Sequence, residues 1–132
     1  MSAAPSAALD LDRLPTPLAI IRLAPSSEIP AWTAHANSFL SITRTAAELS
    51  VVADLSAVPI ALRSSASYIA LRVRGPLPLE LVGILASIAV PLAQAGIPIF
   101  PIATFDTDYV LIRESDTLVA VRALVAMGHR VW

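Results

Sequence analysis

The sequence predicts an α+β fold whose second half is a split βαβ unit, in the order strand, helix, strand, strand, helix, strand. Three observations predict it. Residues 68–74 alternate, with Ile69, Leu71 and Val73 on one side and Ala70, Arg72 and Arg74 on the other, as a half-buried strand requires. Across residues 79–95 the apolar positions Leu81, Leu85, Ile88 and Leu92 recur at spacings of four, three and four, which is one face of a helix. A shift of 60 positions lays ITRTAAELSVV (residues 42–52) on IATFDTDYVLI (residues 102–112), so the first half carries the pattern of a shortened copy.

The elements follow in order. Residues 1–17 contain no basic residue before Arg13 and no apolar run of signal length, and are expected to form a disordered leader. LAIIRL (residues 18–23) is an apolar, β-branched strand bounded by Pro and Ser, and a proline-flanked connection with Trp32 and His35 follows it. Residues 39–43 and 49–53 are two short strands, and Pro59 limits the next connection to a short helix at most. Gly75-Pro76 ends the alternating strand, and Gly96 stops the long helix. Residues 97–104 and 109–113 are strands joined by a polar turn. Ser115 is the expected N-cap of a second helix, with Leu118, Val121 and Val125 inward, Gly128 closing it and residues 129–132 forming a last short strand. His129 is expected at that helix end as a favourable cation. The domains are therefore 1–17 leader, 18–67 shortened unit and 68–132 complete unit.

Composition narrows the function. The chain has 132 residues, 56% hydrophobic and 14% charged, which excludes disorder as its main state. Nine arginines against ten carboxylates give a net charge of -1, without the basic footprint of a nucleic-acid binder. With no Cys and two His there is no thiolate nucleophile, disulfide framework or zinc spacing. Residues 81–105 are uncharged for the length of a membrane span, but Pro91, Gly96, Pro98 and Pro101 punctuate them, so a buried helix and a buried strand are expected instead. A cytoplasmic location is the default expectation.

Few residues carry chemistry. Asp106 and Asp108 of TFDTDYV have three readings: turn formers capping a backbone bend, contacts to a small molecule, or a two-carboxylate metal site. Four glycines form no phosphate-cradling motif, and neither histidine has a serine in a GxSxG elbow, so no catalytic constellation, cofactor or metal is expected. Glu80 in the first helical turn offsets the helix dipole. A Gly-Pro strand exit, a helix start with Gly83 and the turn TFDTD are expected at one edge of the sheet. Backbone N–H groups there suit a carboxylate, and Asp106 or Asp108 an ammonium or guanidinium, as in an amino-acid pocket.

The stretch GPLPLELVGILASIAVPLAQAGIPIFPIATFDTDYVLI, with FLSITRTAAELSVV upstream, resembles the small ACT-domain proteins of the CASTOR/ACT-like family, related to aspartate kinase regulatory domains. The resemblance runs from Leu18 to the C-terminus. It implies a ferredoxin-like βαββαβ ACT fold, two tandem units with the first degenerate, antiparallel sheets and helices on one face. It further implies a non-enzymatic sensor or regulatory module that binds a small amino acid where ACT units meet. The implied ligand-binding residues are Gly83, Ile84, Thr104, Phe105 and Asp108 on one unit and Ser87 and Ile88 on the facing one, completed across a homodimer; Asp106 joins this candidate set from the reading of the turn itself. The alternative is an assembly module without a ligand. Leu81 stands where an arginine sensor has an acid.

Overall fold

The computed structural model describes residues 8–78 and 81–132. It divides into two compact units, Pro15–Tyr68 and Ile69–Trp132, the latter joined by the chain up to Leu14.

The unit Pro15–Tyr68 is a three-stranded antiparallel sheet. Its strands β2 (Leu18–Leu23), β3 (Leu40–Arg44) and β4 (Leu49–Asp54) lie in the order β3-β4-β2. β2 runs along β4 from Leu18↔Asp54 to Leu23↔Leu49. Ala19, Ile21, Leu49, Val51, Ala53 and Val58 form its core, with Trp32 and Ile42 packed against them. Among the described residues it has no α-helix. Single 3-10 turns, Ala31–His35, Leu55–Ala57 and Ile60–Leu62, stand in the connections, and prolines 30 and 59 precede two of them, where a fixed φ and a missing donor cost nothing.

The second unit contains β5 (Tyr68–Val73), α1 (Ile84–Gln94), β6 (Phe100–Ala103), β7 (Asp108–Arg113), α2 (Thr117–Ala126) and β8 (Arg130–Val131), the predicted split βαβ order. A further strand, β1 (Asp10–Arg13), joins it, and the sheet order is β6-β7-β5-β1-β8. β1 is antiparallel to β5, with Asp12 opposite Arg72, and parallel to β8, with Leu11 opposite Val131. The expected leader over 1–17 is thus corrected at Asp10–Arg13. Leu9 and Leu11 enter the core while Asp10 and Asp12 meet arginines on neighbouring strands. Residues 1–7 lie outside the described residues, as does the helical start expected at residues 79 and 80, including Glu80.

Both helices lie on one face of this sheet. Leu71 and Val73 of β5, Val110 and Ile112 of β7, Ile88 and Leu92 of α1, and Ala120 and Leu124 of α2 share one core. The phase expected for α2 is corrected here: Leu118 and Val125 expose 62% and 53% of their surface, while Ala120 and Leu124 are fully buried. Ser115 does not cap α2 either. A 3-10 turn, Glu114–Asp116, leads into it, and the Thr117 hydroxyl donates back to the Glu114 carbonyl at 2.7 Å. Gly96 and Gly128 close the two helices at φ 75° and 92°, where a Cβ is strained.

His129 is tied into the fold through both ring nitrogens and does not stand free at a helix end. Its Nδ1 accepts the Leu9 backbone N–H at 3.1 Å, so its proton is on Nε2, which donates to the Ser87 carbonyl at 2.9 Å. That carbonyl is available because Pro91, four residues on inside α1, has no N–H to offer it.

β1 is fastened by charge to β5 and to the residues at β8. Asp10 accepts from Arg130 and from the Trp132 indole, and these bonds hold its carboxyl below the usual carboxylate value of 3.8. Arg74, then Arg72, do the same for Asp12. Carboxyls depressed in the folded chain give stability that is fully present above about pH 3.8 and lost as pH falls through their lowered values. Asp12→Asn is therefore expected to flatten the fall of melting temperature with pH below 3.8, and an unchanged acid limb in a thermal series would refute the assignment.

Candidate functional site

A cavity of about 140 Å³ sits between the β5–α1 connection and the β6–β7 turn. Leu77, Pro78, Leu81 and Ile84 line it from the first, and residues 103–108 from the second. Local chemistry fixes both walls. The turn is closed by Thr104, whose N–H and hydroxyl both donate to the Thr107 carbonyl at 2.9 Å. Thr107 is buried, and its hydroxyl donates to the Val73 carbonyl at 2.6 Å, anchoring the turn to the end of β5. The Leu77 N–H then donates to the Asp106 carbonyl at 2.7 Å, locking the strand exit to the turn. Gly75 makes that approach possible, because a Cβ there would stand 2.9 Å from the Leu77 nitrogen and 3.2 Å from the Asp106 oxygen.

Five of the eight expected site residues, Ile84, Thr104, Phe105, Asp106 and Asp108, come together around this cavity. The other three do not line it. Gly83 is the N-cap of α1 at φ 84°, so it sets the helix entry. The Ser87 hydroxyl donates to the Ile84 carbonyl at 2.7 Å, inside its own helix. Ile88 is fully buried in the core of its own unit and has no surface to offer a ligand, which corrects its expected place in the facing set.

Leu77, Pro78, Ala103 and Thr107 are lining residues that sequence reasoning missed. Their only signal is adjacency to Gly75-Pro76 and to the turn, and adjacency does not separate a lining residue from a structural one. The cavity offers two carboxylates and a threonine beside an apolar wall. Among the described residues no group of three or more His, Asp or Glu is placed to hold a metal, and no helix is long and apolar enough to cross a membrane.

A model of the ACT domain matches residues 63–126, and a model of an N-terminal domain matches residues 17–60. A structural-genomics protein from Agobacterium tumefaciens is 33% identical, over 96% of this chain and 93% of that one, at a TM-score of 0.85. The chain belongs to one family with that protein, and its residues 63–126 match the ACT domain. Two further solved structures share the ACT-type fold. One is a Vibrio cholerae protein described as of unknown function and possibly in transport, at 20% identity, 92% and 91% coverage and TM-score 0.73. The other is aspartokinase, as its alpha and beta subunits, at 19% identity, 92% and 98% coverage and TM-score 0.61. No curated protein matches the sequence. ACT domains are typically regulatory and ligand-binding, and this one has its cavity where the strand exit, the start of α1 and the β6–β7 turn converge.

Proposed function

We propose that the chain is a non-enzymatic regulatory module that binds a small amino acid in the cavity between the β5–α1 connection and the β6–β7 turn. The carrying observation is that one small cavity combines Asp106, Asp108 and Thr104 with Leu77, Leu81 and Ile84. An ammonium suits the carboxylates and a short apolar side chain the leucines. At about 140 Å³ the space is below the ~300–1,000 Å³ of drug-sized ligands, which favours a small one.

A second copy of the chain completes the site in this reading. Val82 and Phe105, beside the cavity, expose 81% and 80% of their surface, and large apolar groups at a rim favour cover by a partner. The shortened first unit is a degenerate ACT copy: its hairpin begins at Leu40 and that of the second unit at Phe100, 60 positions on, and 3-10 turns replace its helices.

A thermal-shift screen of the full chain against the twenty amino acids tests the proposal. A true ligand at 100 times its dissociation constant is expected to add about 2.7 kcal/mol, and Asp108→Ala is expected to abolish that response while changing unliganded stability by about 0.5 kcal/mol. No response to any amino acid, with a dimer in light scattering, would favour an assembly module without a ligand. A monomer would remove the shared site.

A further inference from the structure

A second cavity, of about 390 Å³, opens on the opposite face of the β5 strand and lies within the ~300–1,000 Å³ range of ligand pockets. Arg72 and Arg74, which line it, alternate along β5 with Leu71 and Val73, and those two point into the core beneath the helices. Asp12 of β1, Tyr109 of β7 and Asp106 of the turn complete the lining used here.

We propose that this cavity binds a small-molecule carboxylate through Arg72 and Arg74. Three observations carry it. The guanidiniums are held in place: Asp12 receives Arg72 Nη2 at 3.1 Å, Arg74 Nε at 3.0 Å and Arg74 Nη2 at 2.8 Å, and Arg74 stacks over the Trp132 ring at 4.9 Å. Little side-chain freedom is left to lose on binding. Each guanidinium carries five N–H donors; Asp12 receives both residues and Tyr109 hydrogen-bonds Arg72, and the ten donors outnumber these bonds, so donors remain for a ligand in the cavity they line. Finally, the lining charges are two arginines against Asp12 and Asp106. Those charges cancel, so a ligand's carboxylate is received through the guanidinium N–H donors and not through net charge, and a dianion gains no further attraction.

The test is an NMR titration of the full chain with sodium acetate, and separately with inorganic phosphate at matched ionic strength, following the side-chain Nε–Hε resonances of Arg72 and Arg74. Saturable shifts with acetate, weaker ones with phosphate, and loss of saturation in Arg72→Gln are expected, while Arg122→Gln on α2 titrates as wild type. Shifts that never saturate, that persist unchanged in Arg72→Gln, or that show tighter phosphate than acetate would overturn the proposal. If Arg72→Gln fails to fold, Arg74→Gln decides: lost saturation upholds the site, and unchanged saturation overturns it. None of these readouts involves the cavity beside α1 except through Asp106 and Thr107, which line both, so failure here leaves the amino-acid reading standing.

Discussion

His129→Ala is expected to destabilise the chain by about 3–4 kcal/mol, read as a lower urea midpoint at unchanged slope. The side chain is 5% exposed and satisfies two backbone groups far apart in sequence, the Leu9 N–H ahead of β1 and the Ser87 carbonyl in α1. Alanine leaves both without a partner, at ~1–3 kcal/mol for each buried group, and opens a void where the ring stood. The Ser87 share has a specific signature, since only Pro91 prevents an ordinary helical bond to that carbonyl. Pro91→Ala supplies an N–H there. It should therefore recover about 1 kcal/mol more in the His129→Ala background than in wild type, a coupling that a double-mutant cycle measures. A His129→Ala chain within about 1 kcal/mol of wild type would show that the tie is dispensable.

The same tie shows where sequence reasoning stops. The Pro91 N–H deficit is visible in the sequence, but its partner is 38 positions further on, at 129 against 91, and no local pattern connects them. The strands at Leu18–Leu23 and Tyr68–Val73 and the β6–β7 hairpin were legible because their periodicity is local and their ends carry Pro, Gly or Asp. β1 was hidden for the opposite reason. Leu9, Asp10, Leu11 and Asp12 do alternate, but the segment is short and acidic, and it becomes a strand only beside Arg72, Arg74 and Arg130.

The phase of α2 failed because TLVAVRALVA is apolar nearly all round: Leu118, Val121 and Val125 form a stripe, but so do Ala120 and Leu124, and hydrophobicity offers no contrast between them. Of the cavity residues, Thr104, Phe105, Asp106 and Asp108 were legible because one polar turn in an apolar half stands out. Thr107 belongs to the same turn and went unread, since its role rests on the Val73 carbonyl 34 residues earlier.

In the other unit, Asp54→Ala is expected to cost about 3 kcal/mol, and Asp54→Asn nearly as much. Asp54 ends β4, is 5% exposed, and accepts three consecutive backbone N–H groups: Asn37 at 3.1 Å on Oδ2, Ser38 at 3.0 Å on Oδ2 and 3.2 Å on Oδ1, and Phe39 at 2.9 Å on Oδ1. These bonds fix the approach to β3, and charge-assisted bonds of this kind are stronger than neutral ones, although part of their loss is offset where the freed N–H groups reach water. Asparagine keeps the shape but replaces one acceptor oxygen by an NH2 group. Both carboxylate oxygens already receive two N–H donors, so either amide orientation sets donor against donor. The comparison separates charge and acceptor count from packing. If Asp54→Asn unfolds near the wild-type urea midpoint while Asp54→Ala does not, shape fixes the turn; if both fall together, the pair of acceptor oxygens does.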